Sequence, residues 1–182
     1  MDEQATPATV LQFWRDAGRE RWFSKDEAFD ALCRARFEEV HRAAAAGSLS
    51  SWERTPEGAL ALVILLDQIP RNIFRGDART WATDPVAVAV ADRALANGFD
   101  RDVAPELRAF FYLPFMHAED LAAQERSVAL YEAHGDPENL KFARHHKDII
   151  ARFGRFPHRN ETLGRESTPE EIAYLEADPF RG

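Results

Sequence analysis

The sequence predicts an all-α fold of about eight helices packed as antiparallel pairs. Three observations predict it. Apolar residues recur at helical spacing along the whole chain, with no alternating run long enough for a strand. Capping side chains stand before proline at Thr55-Pro56, Asp84-Pro85 and Asp136-Pro137, which marks helix starts. Gly47, Gly98 and Gly135 follow helical stretches, where a C′ residue must turn left-handed.

The elements follow in order. Helix 7–17 is read from apolar spacing, and helix 25–46 follows Ser24-Lys25-Asp26-Glu27, a capping box. Helix 57–69 holds the longest apolar run, Ala59 to Leu66; it is apolar on nearly every side and should form the centre of the core. Helices 85–97, 105–113 and 118–134 come next, then 138–153. Helix 169–176 follows a second capping box, Thr168-Pro169-Glu170-Glu171, with proline at the first helical position. Linkers are short apart from 70–84 and 154–167, and nothing marks a domain boundary, so 1–182 is expected to be a single domain.

Helix pairs raise the question of repeats. Helices 57–69 with 85–97, and 105–113 with 118–134, fit antiparallel pairs, and Val128-Ala129-Leu130-Tyr131-Glu132-Ala133 reads like the second helix of a tetratricopeptide repeat. No clean 34-residue period is present, so a degenerate helical repeat is expected.

Composition excludes several classes. A net charge of −8 argues against non-specific nucleic-acid binding. Residues 141–165 nevertheless carry seven Lys or Arg against two Asp or Glu, so this segment is locally basic in an acidic chain. Arginine outnumbers lysine twenty to three, and arginine is the side chain suited to bidentate pairing with carboxylate or phosphate. Cys33 is the only cysteine, so no internal disulfide forms. Met1-Asp2-Glu3-Gln4 lacks the features of a signal peptide, and the eight apolar residues of 59–66 are too short to span a bilayer. A cytoplasmic location is expected, with no membrane partner.

Two segments set a proline, an arginine and an asparagine where a helix is expected to stop: Asp67-Gln68-Ile69-Pro70-Arg71-Asn72 and Phe153-Gly154-Arg155-Phe156-Pro157-His158-Arg159-Asn160. Asp67 would sit in the last turn of its helix, opposing the dipole, with Arg71 and Arg75 in reach. It either locks the helix end as a buried ion pair or orients an arginine toward a ligand. With a helix starting near 118, Glu119 and Asp120 would lie in its first turn, and His117, Leu121, Gln124, Val128 and Tyr131 would share one face. Phe142, His146, Ile149 and Phe153 share another, which points His146 into the core or a pocket floor. His145 is expected at the surface, with Asp148 and Arg152 as an i,i+4 pair. Asn72 and Asn160 either contact ligand or hold their loops, and Phe74, Trp81, Phe110, Phe111, Phe115 and Phe156 are read as core. No His-Glu-x-x-His, paired-cysteine, Gly-x-Ser-x-Gly or phosphate-loop pattern appears.

Leu65-Leu66-Asp67-Gln68-Ile69-Pro70-Arg71-Asn72-Ile73-Phe74-Arg75-Gly76, Leu113-Pro114-Phe115-Met116-His117-Ala118-Glu119-Asp120, and 153–160 with Leu163-Gly164-Arg165 together resemble one bacterial family. It is the domain of unknown function 924 family, placed in the tetratricopeptide-repeat-like superfamily. The resemblance covers roughly residues 10–176 and includes Phe13-Trp14 and Trp22-Phe23. It implies an all-α, repeat-like fold and no activity.

The residues themselves suggest an anion pocket. Asp67, Arg71, Asn72, Arg75, Gln124, Arg155, His158, Arg159 and Asn160 are the expected ligand-binding set. The ligand would be an acidic small molecule, or the acidic or C-terminal end of a peptide. The alternative is a hydrolase-type enzyme in which His117, Glu119 and His146 supply acid–base chemistry. No cofactor and no metal are expected, and the oligomeric state is left open.

Overall fold

The computed structural model describes residues 5–178. All eight expected spans contain helix, and no strand occurs among the described residues. The chain divides into two compact units, Met1–Arg75 with Arg79–Pro114, and Gly76–Ala78 with Phe115–Gly182.

In the first unit, α1 (Pro7–Trp22) is capped by Thr6, whose side chain accepts from the Thr9 backbone N–H. Its regular part ends where expected, because Gly18 takes φ 71° and ψ 169°. The Trp22 indole then donates to the Trp14 carbonyl at 2.6 Å. Asp26 alone caps α2 (Glu27–Ala45), accepting from the Ala28 and Phe29 N–H groups, so the expected box starting at Ser24 is not the one used. Phe29, Cys33, Phe37, His41 and Ala44 form its buried face at a helical spacing.

The apolar run lies where its composition requires. In α3 (Pro56–Val63) and the turn that follows, Leu60 through Leu66 are each at most 2% exposed. Gly58 allows the close approach to the preceding turn, since a Cβ there would overlap the Trp52 carbonyl oxygen.

Pro70 does not stop this helix, contrary to expectation. Proline has no N–H for the carbonyl four residues back and crowds it sterically. The chain absorbs the conflict in a π turn (Ile64–Gln68) and continues as α4 (Ile69–Ile73). The Ile69 N–H reaches back five residues to the Ile64 carbonyl. The Leu66 carbonyl accepts instead from the Thr83 hydroxyl at 2.6 Å, and the Leu65 carbonyl from His41 Nδ1 at 2.9 Å. Asp67 is therefore inside a continuous helical rod rather than in its last turn.

Next, α5 (Asp84–Ala96) begins after Thr83, with Asp84 inside the helix rather than capping it. Gly98 follows in the left-handed region, as expected. The expected helix 105–113 is broken into α6 (Pro105–Arg108), a 3-10 turn (Ala109–Phe111) and α7 (Leu113–His117). Pro114 is the reason: it offers no N–H to the Phe110 carbonyl, and the chain tightens so that Tyr112 N–H bonds Ala109 O at 3.0 Å.

The second unit holds α8 (Leu121–His134) and α9 (Pro137–Phe153), a packed pair joined by Gly135 in the left-handed conformation. Asp120 and Asp136 cap them. Then α10 (Pro169–Ala177) opens with the expected box of Thr168 and Glu171. Ile149, Ile150 and Phe156 form a buried cluster with Phe153 and Tyr174 packed against it. No helix of the described residues is long and apolar enough to cross a membrane.

Candidate functional site

The first motif builds an ion-pair network within the first unit. The Arg71 guanidinium grips Asp84 with two hydrogen bonds, at 2.9 and 3.0 Å, and lies 3.3 Å from an Asp67 carboxylate oxygen. It also donates to the Asp67 carbonyl. Asp67 is fully buried and accepts from the Gln68 side chain at 2.6 Å. Burial works against the Arg71 charge, but the two aspartates outweigh it and hold the group protonated.

One turn further, Arg75 pairs with Asp30 through two bonds of 2.7 and 3.0 Å, and Asn72 donates to the same carboxylate at 2.8 Å. Burial raises the Asp30 carboxyl, yet the bonds from Arg75 and Asn72 leave it below its ordinary value. Arg71 and Arg75 thus face Asp30, Asp67 and Asp84, and the motif's charge is already balanced toward negative. Cys33, beside Asp30 in sequence, is pushed up to about 12, chiefly by burial, so its thiol stays protonated and unreactive.

The second motif organises the second unit around Phe156. Arg159, 6% exposed, donates to the His117 carbonyl at 3.0 Å and stacks its guanidinium 4.5 Å above the Phe156 ring. His146 and His158 approach the same ring at 5.5 and 5.6 Å between centroids, and His117 lies 6.4 Å from His146. The His146 Nδ1 meets the Phe142 carbonyl at 2.8 Å; a carbonyl only accepts, so the proton is on Nδ1. Burial, with help from His117, pushes this imidazole down to about 3.

Glu119 is outside α8 rather than in its first turn. It accepts from Arg165 in a two-point grip at 2.7 and 2.9 Å, and from the Phe156 N–H at 2.7 Å. Burial raises the Glu119 carboxyl, but these bonds and the neighbouring charges of Arg159 and Arg165 hold it below its ordinary value. Two guanidiniums therefore act on this one carboxylate.

Other members of the expected set hold the fold. Arg155 grips Glu171 at 2.7 and 2.8 Å, and Asn160 donates to Ser167 and Glu171. Glu171, 2% exposed, is held down to about 2, first by Arg155 and against its burial. Gln124 donates both to the Met116 and Ala118 carbonyls, which ties α7 to the start of α8, while its own oxygen has no hydrogen-bond partner. The expected shared face of His117 with Leu121 and Tyr131 does not form, because α7 ends at His117 and Leu121 is exposed. Phe142 is likewise exposed, which leaves His146 and Ile149 as the buried members of their stripe. His145 is partly covered and sits 3.3 Å from Asp178, and Arg152 pairs with Glu170 rather than Asp148.

The structure therefore sorts the expected residues into two sets. Asp67, Arg71, Asn72 and Arg75 belong to the first unit, and Gln124, Arg155, His158, Arg159, Asn160, His117, Glu119 and His146 to the second. Among the described residues, no three His, Cys, Asp or Glu side chains are grouped to hold a metal ion.

Arg165 entered only as part of the family resemblance, and the carboxylate partners Asp30, Asp84 and Glu171 escaped the site reading because they come from separate segments. So did a hollow of about 270 Å³ in the first unit, lined by His41, Phe74, Arg79 and Thr83 among others. Its signal was present: Cys33, Phe37, His41 and Ala44 share the apolar face of α2, the same pattern that singled out His146.

An all-α chain with two proline-centred polar motifs, one paired with three aspartates and one that joins arginine–glutamate pairs to a histidine cluster, is the class these features define. The chain belongs to the DUF924 family of bacterial proteins of unknown function, whose model matches residues 10–178. It is similar to the solved structure of ATU0120, a protein of unknown function from Agrobacterium tumefaciens, at 50% identity and a TM-score of 0.91, over 94% of this chain and 97% of that one. Among curated proteins nothing matches.

Proposed function

We propose that this is a cytoplasmic helical-repeat protein that binds a small acidic molecule, or the acidic or C-terminal end of a peptide, at the basic cluster of its second unit. The observation that carries this reading is that Arg159 stacks on the Phe156 ring with His146 and His158 against the same ring and His117 next to His146, while Glu119 is already gripped by Arg165. An anion beside the poorly hydrated Arg159 guanidinium accepts charge-assisted hydrogen bonds from it. His117 and His158 are half-buried.

The hydrolase alternative uses His117, Glu119 and His146 as acid and base. A general base works best with a pKa near the working pH. His146 at about 3 is too weak a base in the free protein, and Glu119 is occupied by Arg165, so binding is the better-supported role.

Calorimetric titration with inorganic phosphate, succinate and an acidic peptide tests the reading. Arg159→Gln should weaken whichever anion binds by about tenfold or more, equivalent to about 1.4 kcal/mol. Arg75→Gln, in the acid-balanced motif, should leave that affinity unchanged. Equal effects of the two substitutions, or no binding of any anion, would refute it.

A further inference from the structure

We propose that the hollow beside the π turn of the first unit, floored by His41 and Thr83, binds a small single-ring molecule that carries an N–H or O–H donor. This site is separate from the anion cluster and does not depend on it. The reasoning starts at Pro70. Because proline forces the helix into a π turn, the carbonyls of Leu65 and Leu66 lose their ordinary helical partners. His41 Nδ1–H and the Thr83 hydroxyl supply replacements at 2.9 and 2.6 Å. Both floor residues thereby spend their proton on the helix.

What they retain is lone pairs. A neutral imidazole that donates through Nδ1 accepts through Nε2, and a hydroxyl that donates still accepts at oxygen. His41 is 7% exposed and Thr83 8% exposed, and both line the hollow. Burial holds the imidazole below its ordinary value, which keeps Nε2 an acceptor at neutral pH. The floor itself thus offers acceptors and selects a ligand group that donates.

The walls define the rest of the ligand. Phe74, Ala45 and Ala82 are apolar, and the His41 ring stands edge-on to Phe74 at 5.5 Å between centroids. At the rim, Arg79 stacks 4.4 Å over the Phe74 ring, and Arg42 pairs with Glu39 at 2.6 Å and with Glu38 at 3.6 Å. A volume of about 270 Å³ lies just under the range of about 300–1,000 Å³ common for ligand pockets and suits a single ring. Single π turns inside α-helices recur at functional sites, which agrees with a binding role for this one.

Phenol and anisole separate the donor requirement from ring packing. The ring ¹⁵N resonances of His41 are followed in the full chain while each is added. Phenol should shift Nε2 and bind about tenfold or more tightly than anisole. Ala82→Phe fills the hollow from an exposed wall position and should abolish the phenol-induced shift; Ala45→Phe, on another exposed wall position, provides the same block if the first variant does not fold. Equal responses to phenol and anisole, no response to either at about 10 mM, or a phenol response that survives a folded blocking variant would each overturn the proposal.

Discussion

The two proline-centred motifs look alike in sequence and answer different backbone problems. In the first unit, Pro70 is absorbed by a π turn, and Arg71 and Arg75 are matched by Asp84, Asp67 and Asp30. In the second, Pro157 follows a helix that has stopped at Gly154, and Arg159 lies against an aromatic ring and a carbonyl among imidazoles. The lesson is that a Pro-Arg-Asn pattern reports a backbone problem in need of polar groups. Whether those groups serve the fold or a ligand depends on the acids that distant segments bring.

The sharpest way to break this comparison is to strip the first motif of an acid. Asp67→Ala leaves the Arg71 charge short of one buried partner and should cost about 3–5 kcal/mol of stability in denaturant unfolding. A loss under about 1 kcal/mol would mean that the network is not structural.

Acid lability comes next, and it arises mainly in the second unit. His146 is depressed to about 3 from an ordinary value of 6.5, so the unfolded chain takes up its proton first, and stability falls as pH drops from about 6.5 toward 3. Glu171 is depressed to about 2 from 4.5, so its contribution is complete above about pH 4.5 and is lost as pH falls toward 2. In denaturant unfolding followed across pH, His146→Gln should flatten the upper window and Glu171→Gln the lower. Retention of both slopes in both variants would show that these groups do not couple to folding.

Thr83→Val tests the smaller claim that the π turn needs its replacement donors. It should cost about 1–3 kcal/mol by leaving the Leu66 carbonyl unmatched. Arg152→Ala, which removes an exposed pair with Glu170, should cost less than about 1 kcal/mol. Thermal melts of the two variants side by side give the ranking, and a reversed order would contradict it.

Much of the fold was legible because helix formation is local. Caps at Thr55, Asp136 and Thr168, the left-handed Gly98 and Gly135, and the fully buried run 60–66 all follow from nearby residues. The errors share one cause. Pro70 is expected from sequence to stop its helix and 105–113 to form one unbroken helix ahead of Pro114, whereas each proline reshapes the turn before it by withholding an N–H. The site was legible only in part, for a different reason. Asp30 and Asp84 reach Arg75 and Arg71 across 45 and 13 residues, and Arg165 reaches Glu119 across 46, which no local spacing encodes.

The most direct test of the central claim is the imidazole titration of His146 by ¹⁵N NMR, with and without phosphate. An anion held among Arg159, His117 and His146 stabilises the imidazolium, so the account predicts that phosphate raises the His146 pKa from about 3 by one unit or more. An unchanged His146 titration at saturating phosphate, in a protein that binds phosphate by calorimetry, would contradict it.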